Sequence, residues 1–131
     1  MIIFLGINHI IVNVALFLAV RPFLPLGNTK VLLILFFVAL GAIMADIDTP
    51  KSILGRIFFF ISCTMKHRGK THTWWAALLF ALPILIYSTT LFVVFAISYL
   101  LHLVQDNLKM KTGAPEEWFI SLLALSYILL R

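Results

Sequence analysis

The chain has 131 residues, enough for one domain, and is 63% hydrophobic and only 11% charged, against about 45–50% apolar and about 25% charged in a soluble domain; so short a chain cannot bury that much apolar surface in water, which excludes an ordinary soluble fold. The formal charge of +5 comes from Lys and Arg scattered over connecting and terminal stretches. That scatter excludes a nucleic-acid tract and fits contacts to anionic lipid head groups. A single cysteine, Cys63, excludes an intrachain disulfide and reads as a small packing residue.

In chain order, Met1–Val20 is apolar apart from Asn8, His9 and Asn13 and is long enough to span a bilayer. It lacks the basic start and small-residue end of a signal peptide, so it reads as a first membrane helix. Arg21–Lys30, with two prolines, a glycine and an asparagine, is a loop. Val31–Ala45 is a second apolar run, ended by Asp46-Ile47-Asp48-Thr49-Pro50. Lys51–Lys66 is too polar to span and reads as an interfacial helix. A polar segment, Lys66–Thr73, leads into the long apolar stretch Trp74–Val104. A further loop and the apolar run Trp118–Leu130 close the chain.

The stretch from Trp74 to Val104 is read as a hairpin turning near Tyr87-Ser88-Thr89-Thr90. As one helix it would set His72 and His102 roughly 45 Å apart, on opposite membrane faces. The expected architecture is therefore all-α, a polytopic integral membrane protein with about five short membrane helices plus one interfacial helix, all in a single membrane domain, residues 1–131. In this topology one side receives Lys51, Arg56, Lys66, Arg68, Lys70, Lys109 and Lys111, and the other only Arg21, Lys30 and Arg131. The positive-inside rule makes the basic side cytoplasmic, in a cell membrane.

All four histidines and all three aspartates fall in four polar clusters. His9 alone is better explained by a packing hydrogen bond than by ligation. Asp46 and Asp48, at i,i+2, cannot share an α-helical face, but at a helix end both can turn toward one point. In the run His67-Arg68-Gly69-Lys70-Thr71-His72-Thr73, Gly69 allows a turn that brings the two imidazoles together. Thr71 or Thr73 can cap the helix beginning at Trp74. Arg68, Lys70 and Thr71 there suit a phosphoryl or carboxylate oxygen, although a basic loop touching head groups explains the run too. His102 and Asp106, at i,i+4, share a helix face. The hairpin gathers every cluster near one membrane face, and ionisable groups there are costly enough to point to function. Seven N/O ligands without a thiolate suit one or two divalent ions of zinc, manganese or iron.

With its early His9, the Asp46-Ile47-Asp48 motif, the His67–Thr73 run and the His102–Asp106 pair, the chain resembles the YdjM-like family of LexA-binding, inner-membrane, metal-dependent hydrolases over nearly its whole length. The His67–His72 run is the specific part. Thr73 stands where the family has a serine, and the segment after Asp106 is more basic than the family pattern, so Thr112 inherits no role. The resemblance implies a membrane-bound hydrolase dependent on a metal.

The expected metal ligands are thus His9, Asp46, Asp48, His67, His72, His102 and Asp106. Arg68 would orient an anionic oxygen, and Asp48 or Asp106 would take the proton. The expected substrate is a membrane lipid or lipid-linked ester or phosphoester; a homo-oligomer is compatible with the sequence. The rivals are a metal-ion or proton transporter using the same residues as a relay, and a small membrane adaptor whose loops bind a protein.

Overall fold

In this computed structural model residues 2–24, 26, 29–64, 69–107, 123 and 127 are described, and the regular structure among them is entirely helical. Helix α1 (Ile2–Val20) carries His9 and Asn13 four residues apart, hence on one face, and both are buried. A 3₁₀ turn, Arg21–Phe23, with Pro22 in its opening positions, ends the helix. Helix α2 (Val31–Met44) runs directly into a second 3₁₀ turn, Ala45–Asp48. The chain then turns extended at Thr49, as a residue before Pro50 must.

Ser52 joins this turn to the next helix. Its hydroxyl donates to the Asp46 carbonyl at 2.6 Å and accepts from the Gly55 amide at 2.8 Å, so it caps helix α3 (Ile53–Ile57). Helix α4 (Phe59–Thr64) comes after a non-helical Phe58. Helix α5 (Trp74–Leu85) is capped by Thr73, whose hydroxyl accepts from the Ala76 amide at 3.3 Å. After Ile86–Ser88 the chain reverses into helix α6 (Thr89–Asn107), which packs back along α5. The apolar stretch is thus a helical hairpin.

Helix α2 packs against both α1 and α6, which also touch each other, and α5 lies against α6. The helices come close because small residues line their contacts, the usual solution where lipid leaves no hydrophobic force between apolar helices. Ala45, Ala76, Ala77, Ala81, Phe95 and Tyr99 pack together in one core, and Phe17, Ile34, Val38, Leu91 and Val94 in another. Gly41 is the tightest point. A Cβ there would stand 2.6 Å from the Phe95 carbonyl oxygen and 2.9 Å from Ser98 Cβ.

Three helical stretches among the described residues are long and apolar enough to cross a membrane: Gly6–Phe23, Val31–Asp48 and Thr89–Asn107. This is fewer than the five expected. Helix α5 has 12 residues and therefore reaches only about 18 Å; Pro83 near its end and the Tyr87–Ser88 break stop it short. The expected helix over Trp118–Leu130 lies outside the described residues. The segment expected as one interfacial helix forms two short helices, α3 and α4, because Phe58 interrupts the helical backbone. Cys63 is exposed, not packed.

Candidate metal centre

The polar clusters meet where α2 and α6 end, beside the early part of α1. The 3₁₀ turn after α2 aims its two carboxylates at the same ring from different sides. Asp46 Oδ1 lies 3.8 Å from His72 Nε2, while Asp48 Oδ2 lies 3.6 Å from His72 Nδ1. The segment before α5 brings His72 to them through a turn in which the His72 amide donates to the Gly69 carbonyl at 3.2 Å. Thr71 secures that turn. Its buried hydroxyl donates to Asp48 Oδ2 at 2.7 Å, and its carbonyl accepts from the Tyr99 hydroxyl at 2.5 Å.

Helix α6 contributes His102 and Asp106 from one face, as their spacing requires. His102 is fully buried, and its Nδ1 is 2.6 Å from the Ala42 carbonyl, which can only accept. Nδ1 therefore carries the proton, and Nε2 turns its lone pair inward. His9 of α1 completes the set, with Nδ1 bonded to Gln105 Oε1. The Nε2 atoms of His9 and His102 are buried and have no hydrogen-bond partner among the described residues, the expected state of a ligand atom awaiting an acceptor of its lone pair.

Asp106 stands among all three rings: Oδ2 is 3.2 Å from His72 Nε2 and 3.9 Å from His102 Nε2, and Oδ1 is 3.5 Å from His9 Nε2. His102 Nε2 is 3.7 Å from Asp46 Oδ1. Two groups able to hold a metal ion result, His9–His102–Asp106 and Asp46–His72–His102, with His102 common to both. A cavity of about 190 Å³ lined by His72, Leu103, Asp106 and Asn107 opens beside them.

Of the residues singled out from sequence, His9, Asp46, His72, His102 and Asp106 come together. Asp48 adjoins them but faces the far nitrogen of His72, and Thr71 is buried against Asp48. Lys70 is exposed, and His67 and Arg68 lie outside the described residues. Asn13, Ser98 and Gln105 were not among the candidates read from sequence, yet they support the cluster. Gln105 Nε2 donates to Asn13 Oδ1 at 2.6 Å, and Asn13 Nδ2 donates to Ser98 Oγ at 2.8 Å and to the Ser98 carbonyl at 2.9 Å. The available signal was Asn13 standing four residues after His9, on the same helical face.

A helical bundle with membrane-length apolar helices and a buried histidine–aspartate cluster defines a membrane protein with a potential metal site. The family model for YdjM inner membrane protein matches residues 4–126, and the chain belongs to that family. No curated protein and no solved structure matches it.

Proposed function

We propose that this chain is a multi-pass, metal-dependent hydrolase that acts on an ester or phosphoester carried by a membrane lipid, at a site open to the cytoplasm. One observation carries the reading: Nε2 atoms of His9, His72 and His102 converge on Asp46 and Asp106, while the Nδ1 atoms of His9 and His102 are engaged elsewhere. Nitrogen and oxygen donors without a thiolate suit zinc, manganese or iron. Ligands about 2.0–2.2 Å from one ion stand roughly 3–3.6 Å from their neighbours around it. The closest separations here, 3.2 and 3.5 Å, match that spacing and favour one ion over two. Such an ion supplies Lewis acidity, polarising the scissile bond and making a water nucleophilic near neutral pH.

The chain's own residues divide the remaining work. Asp106 lines the cavity that opens onto the cluster, so it is the carboxylate best situated to take a proton from an entering water. Asp48 holds the Nδ1 edge of His72 and steadies that ring. Arg68, directly before the Gly69 turn, offers a bidentate fork for a phosphoryl oxygen, and exposed Lys70 adds positive charge.

Asp46 and Asp106 sit at or near the ends of the apolar spans Val31–Asp48 and Thr89–Asn107, which favours a site near head-group depth. A lipid-borne substrate reaches that depth by lateral diffusion. The excess of Lys and Arg in the segments flanking the cluster favours its facing the cytoplasm.

The test is to incubate metal-loaded protein with a panel of phospholipids and lipid-linked phosphates in liposomes. Metal-dependent product that disappears in Asp46→Asn and His72→Ala supports the proposal. Absence of turnover together with metal or proton flux across the liposome would replace the hydrolase with a transporter.

A further inference from the structure

Beside the cluster, a chain of hydrogen bonds crosses from α1 to α6 and on to α2, and every link in it has a fixed direction. It ends on the Val38 carbonyl, which can only accept, so the Ser98 hydroxyl spends its one proton there, at 2.6 Å. Ser98 Oγ must then accept from Asn13, which therefore presents its NH₂ group to Ser98. The bond from the same NH₂ group to the Ser98 carbonyl fixes that amide orientation a second time. Asn13 Oδ1 is left facing Gln105 and must accept, so Gln105 also presents its NH₂ group, and its Oε1 faces His9. An amide oxygen cannot donate. His9 must therefore donate through Nδ1.

We propose that Gln105, Asn13 and Ser98 are positioning residues that select the ring tautomer of His9, so that its Nε2 lone pair faces the cluster. Its use rests on the metal site proposed above. All four side chains are buried, so water does not offer the ring a competing partner on that side. A reversed tautomer would put an N–H where the lone pair is needed and would leave Gln105 Oε1 buried without a donor, a costly arrangement. The polarity is carried from a backbone carbonyl of α2 to a histidine of α1 without any charged group.

The experiment reads the tautomer directly. Nitrogen-15 NMR of the metal-free full-length protein in detergent reports which ring nitrogen of His9 bears the proton. The expected result is Nδ1–H for both His9 and His102 in the wild type. In Gln105→Met the His9 signal should move toward the Nε2–H form, whereas His102, held separately by the Ala42 carbonyl, should not change. Affinity for zinc should fall about 10–100-fold, the usual loss when a ligand's supporting partner is removed. Gln105→Glu restores an acceptor for His9 Nδ1 and should restore the Nδ1–H form, although its carboxylate cannot donate to Asn13 Oδ1 and leaves that link broken. An Nε2–H His9 in the wild type overturns the proposal without any variant, as does an unchanged tautomer in Gln105→Met. Failure of the wild type to bind zinc would defeat the metal site, while the tautomer measurement would still decide this inference.

Discussion

His9 and His102 come from helices at opposite ends of the described chain, yet their ring centroids stand 4.2 Å apart, with the planes tilted by 43°. Each gives its Nδ1 to an uncharged acceptor, a glutamine amide in one case and a backbone carbonyl in the other. Such a pair would be poor packing for its own sake, since two buried Nε2 atoms remain without hydrogen bonds among the described residues. One ion held by both Nε2 atoms, as proposed above, would satisfy them together.

Removal of metal should loosen the bundle. The proposed ligands come from α1, α6 and the segments after α2 and before α5, so binding would stabilise the native state by mass action, about 2.7 kcal/mol when free ion is 100-fold above its dissociation constant. A chelator should lower the melting temperature of the wild type in detergent. It should leave that of His102→Ala unchanged, because the variant has no ion to lose.

The two carboxylates of the Asp46–Asp48 turn should separate in their effects. Asp46→Asn removes a proposed ligand and should abolish metal retention. Asp48→Asn keeps an acceptor for the Thr71 hydroxyl but loses the charge beside His72 Nδ1; it should weaken affinity about 10–100-fold without abolishing it. Elemental analysis and zinc titration distinguish the two outcomes. Equal loss in both variants would make Asp48 a ligand after all.

That division was beyond the sequence. The spacing of Asp46 and Asp48 shows that they cannot share an α-helical face, but not that a 3₁₀ turn would send them to different nitrogens of His72. What was legible were the charged and imidazole side chains, because in an apolar chain each such residue needs a reason to be present. The uncharged Asn13, Ser98 and Gln105 stand out far less. Their significance lies in which atom faces which, and that emerges only when α1 and α6 are packed. The hairpin was legible in the Tyr87–Thr90 stretch; the chain breaks just before it, at Ile86–Ser88, and α6 starts at Thr89. The shortness of α5 was foreseeable, but its exclusion from the spanning helices depended on where the helix ended.

Metal retention should fall as the medium is acidified. Three imidazoles must be deprotonated at Nε2 to ligate, so protons compete with the ion and each bound ion displaces them. Affinity should rise from pH 5 to pH 8, and zinc addition near the lower end should release protons measurable in weakly buffered solution. Affinity independent of pH over that interval would argue against a histidine-rich ligand set.

Gly41 should be intolerant and Gly6 tolerant. Gly41→Ala sets a methyl group 2.6 Å from the Phe95 carbonyl oxygen, forcing α2 and α6 apart, whereas at Gly6 the nearest contact would be an ordinary 3.7 Å. Overpacking of this kind costs about 1–3 kcal/mol. Thermal unfolding in detergent should show a loss for Gly41→Ala and little change for Gly6→Ala. Zinc affinity should fall with Gly41→Ala as well, since Ala42, the next residue, holds His102.

Orientation can be read by labelling. In a Cys63→Ser background, Lys51→Cys and Lys70→Cys should be shielded from an impermeant thiol reagent applied outside intact cells. Arg21→Cys, beyond the far end of α1, should react. The reverse pattern would turn the cluster away from the cytoplasm.

The cluster also has a chronology. His9 is synthesised 96 residues before its partner Gln105, so no growing chain holds both until nearly all of α6 has been made. Asp46 and His72 arrive in between. A partly inserted chain can therefore present fragments of the cluster but not its enclosed form, and a firmly held ion would be a sign that the last described helix has docked. For an ion held as proposed, loading would follow assembly, and a truncated product lacking α6 would lack His102, the residue common to both groups of ligand atoms.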